Sequence, residues 1–426
     1  MHETCYLNQN LRGTVRKFHS GTYLMSVVWT SLNQRLDQTI KATTPLAVDV
    51  RRQLHQYPEL GWKEHKTQAF LTETLEKQGL KPRVAAKTGL IVDIGTGTPS
   101  VLYRADIDAL PIGEQPKEGI SFGSKHEGVM HACGHDMHSA IGVGLALTMH
   151  ELSETLPGAV RFMFQPAEEI IPSGAEQMVN EGVLEGIEYA LALHVDPHRT
   201  TGNVGVRDGL LTATSDTYRI HLRGKAGHSA RPHLAKDAIL LAADVIRALY
   251  SLVGQRIDPL DAAVINVGLI EGGSAENIIA GNVNLTGVVR TMRRETREKM
   301  HDGIRNTVAS LAKAYDCEAD IEIQLGSSPI HNDPILHTIL QQAARHVLGE
   351  DGVHPIEKPS TGAEDFGRIS DVVPSYMMRL GVKCEDLPFA GLHTPNFFAD
   401  ENAIPVAMGI MSRTILQTLS LTANRG

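Results

Sequence analysis

The sequence predicts an α/β protein of two domains, a mixed-sheet α/β domain interrupted by a ferredoxin-like α+β unit. Three observations carry this expectation. The chain has 426 residues, more than one compact core usually holds. Toward both ends, short apolar runs alternate with helical stretches, as in strand–helix crossover units. Between them the texture changes to polar–apolar alternation in the order β-α-β-β-α-β, that of a ferredoxin-like unit.

From Leu46 to Gly79 apolar residues recur every three or four positions, which predicts helix, and Pro58 marks a break. The runs GLIVDIG, SVLYRADIDAL, AVRFMFQ and EYALALHV are apolar on both faces and suit buried strands. SAIGVGLALTMHEL and SGAEQMVNEGVL, between them, read as helices. From Thr217 to Lys225 the residues alternate, as in a strand with one exposed face. A helix is expected from about Ala235 to Val253, then two strands, a charged helix and the strand EADIEIQL. After Pro329 the first texture returns with PILHTILQQAARHVL, SYMMRLG and IPVAMGIMSRTILQTL. The expected division is therefore a tail at 1–24, one discontinuous domain at 25–211 and 328–426, and an insert at 212–327. The tail is poor in acids and lacks the apolar stretch of a secretory signal. A transit peptide, a tag, or a true start at Met25 would each account for it.

The net charge of -9 argues against a general nucleic-acid or anionic-membrane binder, since both need basic patches. No uninterrupted apolar run reaches the roughly 18–20 residues that span a bilayer. Cys5, Cys133, Cys317 and Cys384 are scattered, which points to a reducing, cytoplasmic setting rather than a disulfide framework.

The densest chemical signal is HACGHDMH, His131 to His138. Cys133 and His135 are two apart, so they converge only on a turn, and Gly134 with the helical pattern from about Ser139 places them at a strand-to-helix junction. Thiolate and imidazole both suit zinc, cobalt or nickel; a His-rich surface loop is the plain alternative. Glu168 and Glu169 follow the strand AVRFMFQ at its carboxyl end, where sites in open α/β sheets assemble. Adjacent side chains on an extended segment diverge, so one acid can bind metal while its neighbour stays free; a solvated pair is the alternative. His194 ends an apolar strand and His393 lies in a loop before the last helix. Each alone reads as an ordinary core or surface histidine. Four separate segments that all supply Cys, His or Glu at strand ends and in loops make a metal site the stronger joint reading.

Asp106 and Asp108 lie two apart and share a face, which suggests burial near a metal or a ligand histidine's outer nitrogen; salt bridging to Arg104 or capping of the following turn is the plain alternative. His228 and Asn277 fall in turns of the insert and read there as plain turn residues. GTGT at 95–98 lacks the third glycine and following helix of a dinucleotide site.

Taken in order, RQLHQYPELGWKE, RADIDALP, HACGHDMH, QPAEE, LALHV, GKAGHSARPH, AENIIAG, STGAEDF and GLHTPN resemble the aminoacylase–carboxypeptidase family of metallopeptidases. The similarity is greatest to its branch of hippurate hydrolases, N-acyl-amino-acid amidohydrolases and auxin-conjugate hydrolases. It runs from about Leu46 to the C-terminal helix. The resemblance implies two divalent ions per subunit (manganese, zinc, cobalt or nickel) held by Cys133, His135, Glu169, His194 and His393. In other branches a His stands where this chain has Asp106, while Cys133 supplies a thiolate here. Glu168 is implied as general base, His228 as a lid residue that contacts the substrate carbonyl, and Asn277 as a substrate-binding residue. Asp106 and Asp108 would support the ligands. The insert becomes a lid that also dimerises, giving a homodimer or homotetramer. The implied reaction is hydrolysis of the amide bond of small N-acyl amino acids. The rivals are a dipeptidase or carboxypeptidase, a thiol hydrolase using Cys133, and a non-catalytic binding protein on the same fold.

Overall fold

The computed structural model describes residues 12–115 and 119–423. Residues 1–11 of the expected tail lie outside them, and the first helix begins at Arg12. In chain order the first part contains α1 (Arg12–Gln56), α2 (His65–Lys77), β1 (Arg83–Ala85), β2 (Gly89–Gly95), β3 (Pro99–Asp106), α3 (His135–Glu151), β4 (Ala159–Gln165), α4 (Gly174–Asn180), β5 (Tyr189–Thr200), β6 (Val204–Val206) and β7 (Gly209–Leu210). Next come β8 (Ser215–Arg223), β9 (Gly227–His228), α5 (Ala238–Arg256), β10 (Ala263–Gly272), β11 (Ile278–Ile279), β12 (Asn282–Thr291), α6 (Arg294–Ala314) and β13 (Glu318–Ser327). The chain then returns with β14 (His331–Asn332), α7 (Pro334–Leu348), β15 (Val353–Pro355), α8 (Gly367–Ser370), β16 (Ser375–Lys383) and α9 (Ala403–Ala423).

The large sheet is mixed, as expected. Its centre, β4-β3-β5-β16, is parallel, while β2 joins β4 and β1 joins β2 antiparallel. Every residue of β4 is buried, which explains why its sequence shows no alternation. One face of the sheet carries the main core with α1, α3 and α9; Leu102, Met163, Ala192 and Met377 belong to the cluster on the other.

The insert forms its own sheet, β10-β12-β8-β13, antiparallel throughout, with α5 and α6 packed on it. Leu241, Val245 and Leu249 of α5 meet Met300, Ile304 and Val308 of α6 in a separate core. The Asp237 carboxylate caps α5, accepting from the Ile239 and Leu240 amides at 2.9 and 3.1 Å. This is the ferredoxin-like order read from the sequence.

Among the described residues two helices, α5 and α9, are long and apolar enough to cross a membrane by length and composition. Asp244 and Arg247 in α5, and Arg413 in α9, interrupt the apolar run of each helix. The physical occupation of α9 is a core position, with 72% of its apolar window buried inside the protein.

Candidate metal centre

The parallel strands deliver the expected residues to one end of the large sheet. Asp106 is the last residue of β3 and pairs with Gln165, the last of β4. Three residues beyond Gln165 the chain reaches Glu168 and Glu169, after Ala167 at φ 49°. His194 lies on β5, in register with Arg379 of β16. Cys133 and His135 flank Gly134, which caps α3 at φ +80°, a conformation that L side chains rarely adopt. A Cβ at Gly134 would also stand 2.6 Å from Val195 Cγ2, so the chain reverses between the two donors only with glycine there. The helix starts at His135, earlier than the expected Ser139, because Asp136, Met137 and His138 are buried helical residues rather than loop. His393 sits at φ 59° in the loop before α9. Such strain in a non-glycine residue persists only where surrounding contacts over-determine it.

These positions bring the five expected donors together. Cys133 Sγ lies 3.5 Å from His194 Nε2 and 3.3 Å from His393 Nε2. Glu169 Oε1 is 3.2 Å from His393 Nε2 and 3.9 Å from His135 Nε2, and Glu168 Oε2 is also 3.9 Å from His135 Nε2. Two donors sharing one ion at bond lengths of ~2.0–2.3 Å and a tetrahedral angle stand roughly 3.3–3.7 Å apart, close to these separations.

The supporting contacts fix the tautomers. The Nδ1–H of His135 donates to the Asp108 carbonyl at 2.9 Å, leaving Nε2 for the cluster. The Nδ1–H of His194 donates to the Val195 carbonyl at 2.8 Å, again freeing Nε2. Asp108 Oδ2 accepts the Glu169 amide at 3.0 Å, so one residue braces two candidate ligands. Asp106 behaves differently. Its Oδ1 is 2.6 Å from His138 Nδ1, and His138 Nε2 accepts the Val195 amide at 3.0 Å. Both His138 nitrogens are therefore engaged, which leaves it no lone pair for a metal. Asp106 also takes Arg104 at 2.7 Å, the pairing that the sequence offered for this acid, while the histidine it holds is His138 and not one of the expected ligands. Arg104 ties in Glu364 and Asp365 at 2.8 and 2.7 Å. The roles of His138 and Glu364, and the reach of Arg104 to Glu364 and Asp365, were missed in the sequence; for the two acids STGAEDF was the available signal.

A cavity of about 780 Å³ opens over the cluster, with Cys133, Glu168, Glu169, His194 and His393 in its wall. The inserted unit contributes Arg290, Leu325 and Gly326 to the same wall. His228 and Asn277 do not line it. His228 is exposed on the β9–β11 ribbon, where it pairs with Ile278, and Asn277 accepts the Ser229 amide through its backbone carbonyl at 3.0 Å.

The donor set fits a divalent metal. His135 Nε2 is buried with no hydrogen-bond partner among the described residues, a costly arrangement unless something else binds it. Sulfur, nitrogen and carboxylate donors lie within 4.8 Å of one another in several overlapping groups. Their negative charge attracts positive charge. Bonds with Cys133 and then Glu169 push the His393 imidazole up to about 10. Burial pushes the Cys133 thiol up, so its thiolate form requires a cation at the sulfur. Burial also holds the Glu168 carboxyl well above the usual range, with Glu364 and Glu169 adding to the effect.

Peptidase family M20/M25/M40 matches residues 102–417. The chain belongs to this family. An N-acetyl-L-cysteine deacetylase of Bacillus subtilis is 37% identical over 84% of this chain and 84% of its own length. An N-acetyldiaminopimelate deacetylase of Priestia megaterium is 38% identical over 86% and 96%. A solved Bacillus subtilis structure, described as a dinuclear metal binding peptidase of the M20 family, superposes with a TM-score of 0.75. It is 30% identical and covers 89% of this chain and 99% of its own. The M20 assignment bears out the resemblance read from the motifs, and this family member is a metal-dependent amidohydrolase.

Proposed function

We propose that the protein hydrolyses the amide bond of small N-acyl amino acids, releasing a carboxylic acid and a free amino acid. The observation that carries this reading is a Cys-His-Glu-His-His donor cluster, with Cys133, His135 and His194 buried, and one further carboxylate, Glu168, beside it in the wall of a substrate-sized cavity. The deacetylase relatives support the substrate class.

Cys133, His135, Glu169, His194 and His393 would hold two divalent ions. Bound there, such ions polarise an amide carbonyl and make a water molecule more acidic. Glu168 then takes the proton from the attacking water and delivers it to the departing nitrogen. Its raised proton affinity suits both halves of that transfer. Asp108 orients His135 and the Glu169 backbone, and Arg104 fixes Asp106 and Glu364 behind them. His228 serves the oxyanion after movement of the inserted unit toward the cavity. Asn277, on the same ribbon, travels with it and contacts the substrate.

The division into a catalytic part at 25–211 and 328–426 and a lid at 212–327 is part of this reading, as is a cytoplasmic location. So is a homodimer built on the lid. Strand β10 ends the inserted sheet, and Leu269 and Ile270 on it are 62% and 56% exposed. An apolar, unpaired edge of that kind is a template for a second copy. A thiol-hydrolase reading draws on the two histidines near Cys133, but burial disfavours the thiolate it needs.

The deciding experiment assays N-acetyl, N-benzoyl and indoleacetyl amino acids, with plain dipeptides alongside, on enzyme stripped by chelator and reloaded with single metals. Turnover of acyl amino acids that vanishes on stripping and returns on reloading is expected. Full activity in stripped enzyme, or loss on alkylation alone, overturns the reading.

A further inference from the structure

Each of the other arginines set deep in this fold has a carboxylate. Arg51 pairs with Asp136 and Glu401, Arg104 with Asp106, Glu364 and Asp365, and Arg161 with Asp93. This is the usual condition for a guanidinium out of water. Arg379 departs from it. It sits in the middle of β16, between the fully buried Met378 and Leu380, yet forms no hydrogen bond or ion pair with any described residue. Glu364, Asp196 and Glu168 act on it through space, and none of them bonds to it. Glu364 is bonded to Arg104 at 2.8 Å and Asp196 to Arg199 at 3.0 Å.

Its position is specific. Arg379 pairs in register with His194 on the adjacent parallel strand, so both side chains leave the sheet on the same side. Both line the 780 Å³ cavity. A guanidinium offers five donors in a planar fork that matches a carboxylate. Holding one half-buried beside the ligand cluster without an internal partner costs stability, and a substrate anion would offset that cost. The guanidinium is thus a set of donors for which the described residues provide no acceptor.

We propose that Arg379 is a specificity-determining residue that receives a carboxylate of the substrate. This inference rests on the acyl-amino-acid reading above and narrows it to acids that present a carboxylate to the main-sheet side of the cavity. Two sources share that chemistry: the α-carboxylate of the amino-acid half, or a second carboxylate elsewhere in the molecule.

The test uses metal-loaded enzyme and two matched substrate pairs. N-acetyl-L-methionine against its carboxamide reports on the α-carboxylate; N-acetyl-L-glutamate against N-acetyl-L-glutamine reports on a second one. In Arg379→Met the preference for the acid in at least one pair should fall about 10- to 100-fold, chiefly through KM, with metal content unchanged. Arg379→Lys should recover part of the preference. The pair that responds names the source. If both members of each pair lose activity alike, Arg379 acts only on the ligand cluster or the fold, and the proposal is overturned. It is overturned equally if both preferences are unchanged. Should the wild type hydrolyse neither pair, the functional reading fails by itself. Calorimetric titration with N-acetyl-L-glutamate and N-acetyl-L-methionine then decides the inference: weaker acid binding in Arg379→Met supports it, and equal binding overturns it.

Discussion

Asp108 grips His135 twice, through its backbone carbonyl at 2.9 Å and through Oδ1 at 3.2 Å from the same Nδ1. The grip fixes which nitrogen faces the donor cluster, while Oδ2 anchors the Glu169 amide. Replacing Asp108 by Ala leaves the carbonyl contact but removes both side-chain contacts. Metal affinity should fall about 10- to 100-fold, the usual cost of losing such a support. A competition titration against a chromogenic chelator measures it. Unchanged affinity would show that the backbone carbonyl alone orients the ring.

The two adjacent glutamates should separate cleanly. Glu169 Oε1 lies among His135 and His393, so Glu169→Gln should lose metal as well as rate. Glu168→Gln keeps its shape and cannot accept a proton, so it should retain metal and lose most of kcat. Burial raises the Glu168 carboxyl, and the base acts only when deprotonated. The acid limb of kcat/KM should therefore lie above the ~4.3 of a free glutamate, with activity falling as pH drops through it. Metal analysis and a pH profile on both variants check this; metal loss in Glu168→Gln with retention in Glu169→Gln would reverse the roles.

What could be read from the sequence follows from how local each feature is. AVRFMFQ coincides with β4 because a strand buried on both faces is a continuous apolar run, and GLIVDIG with β2, whose first four residues are buried. The insert was legible because its strands alternate and its helices are amphipathic. The start of α3 was not, since HDMH looks like loop until Asp106 supplies a partner from 32 residues away. Arg104 with Glu364, separated by 260 residues, leaves no periodic trace at all. Arg379 was hidden in the same way, as one charge inside an apolar strand. The expected His228 was legible as a turn residue, but its distance from the cavity wall was not, because the placement of one domain on another is invisible to local pattern.

Asp216 closes the root of the inserted unit. It receives Arg297 Nε at 2.7 Å, lies 2.8 Å from His301 Nε2, and accepts the Gly326 amide at 2.8 Å, joining the start of β8 to the end of β13. Burial alone would raise this carboxyl; the bonds from Arg297 and His301 outweigh it and bring it to about 2. A carboxyl held down on folding gives stability that is complete above the unfolded value of ~3.9. That stability fades as pH falls toward 2. Asp216→Asn should destabilise the protein by about 3–5 kcal/mol at neutral pH, the cost of breaking a buried pair. The difference from wild type should shrink in acid. Denaturant melts at several pH values decide it, and a constant difference across pH would refute the assignment.

The β10 edge makes a separate prediction. Charged residues on an edge strand block pairing between chains. Leu269→Lys combined with Ile270→Glu should convert a dimer into a monomer in light scattering, with the fold intact by circular dichroism. Dimer persistence in the double variant would place any interface elsewhere.

His228 tests whether the inserted unit moves. It is exposed and absent from the cavity wall, so any catalytic part requires that it be carried to the site. The ribbon that bears it is short, two residues on each strand, and projects from a separately cored domain. Movement of that domain as a body is therefore the economical route. His228→Ala should lower kcat by around 10²–10³ if it stabilises the oxyanion, while metal content stays constant. The route itself is separable. A disulfide or crosslink that holds the insert away from the large sheet should reproduce the loss in the wild type. Activity regained on co-refolding His228→Ala with Glu168→Gln would instead show His228 serving the partner's cavity across the β10 edge. A wild-type kcat in His228→Ala leaves the residue as an ordinary turn histidine, and the oxyanion must then be met by groups already in the wall.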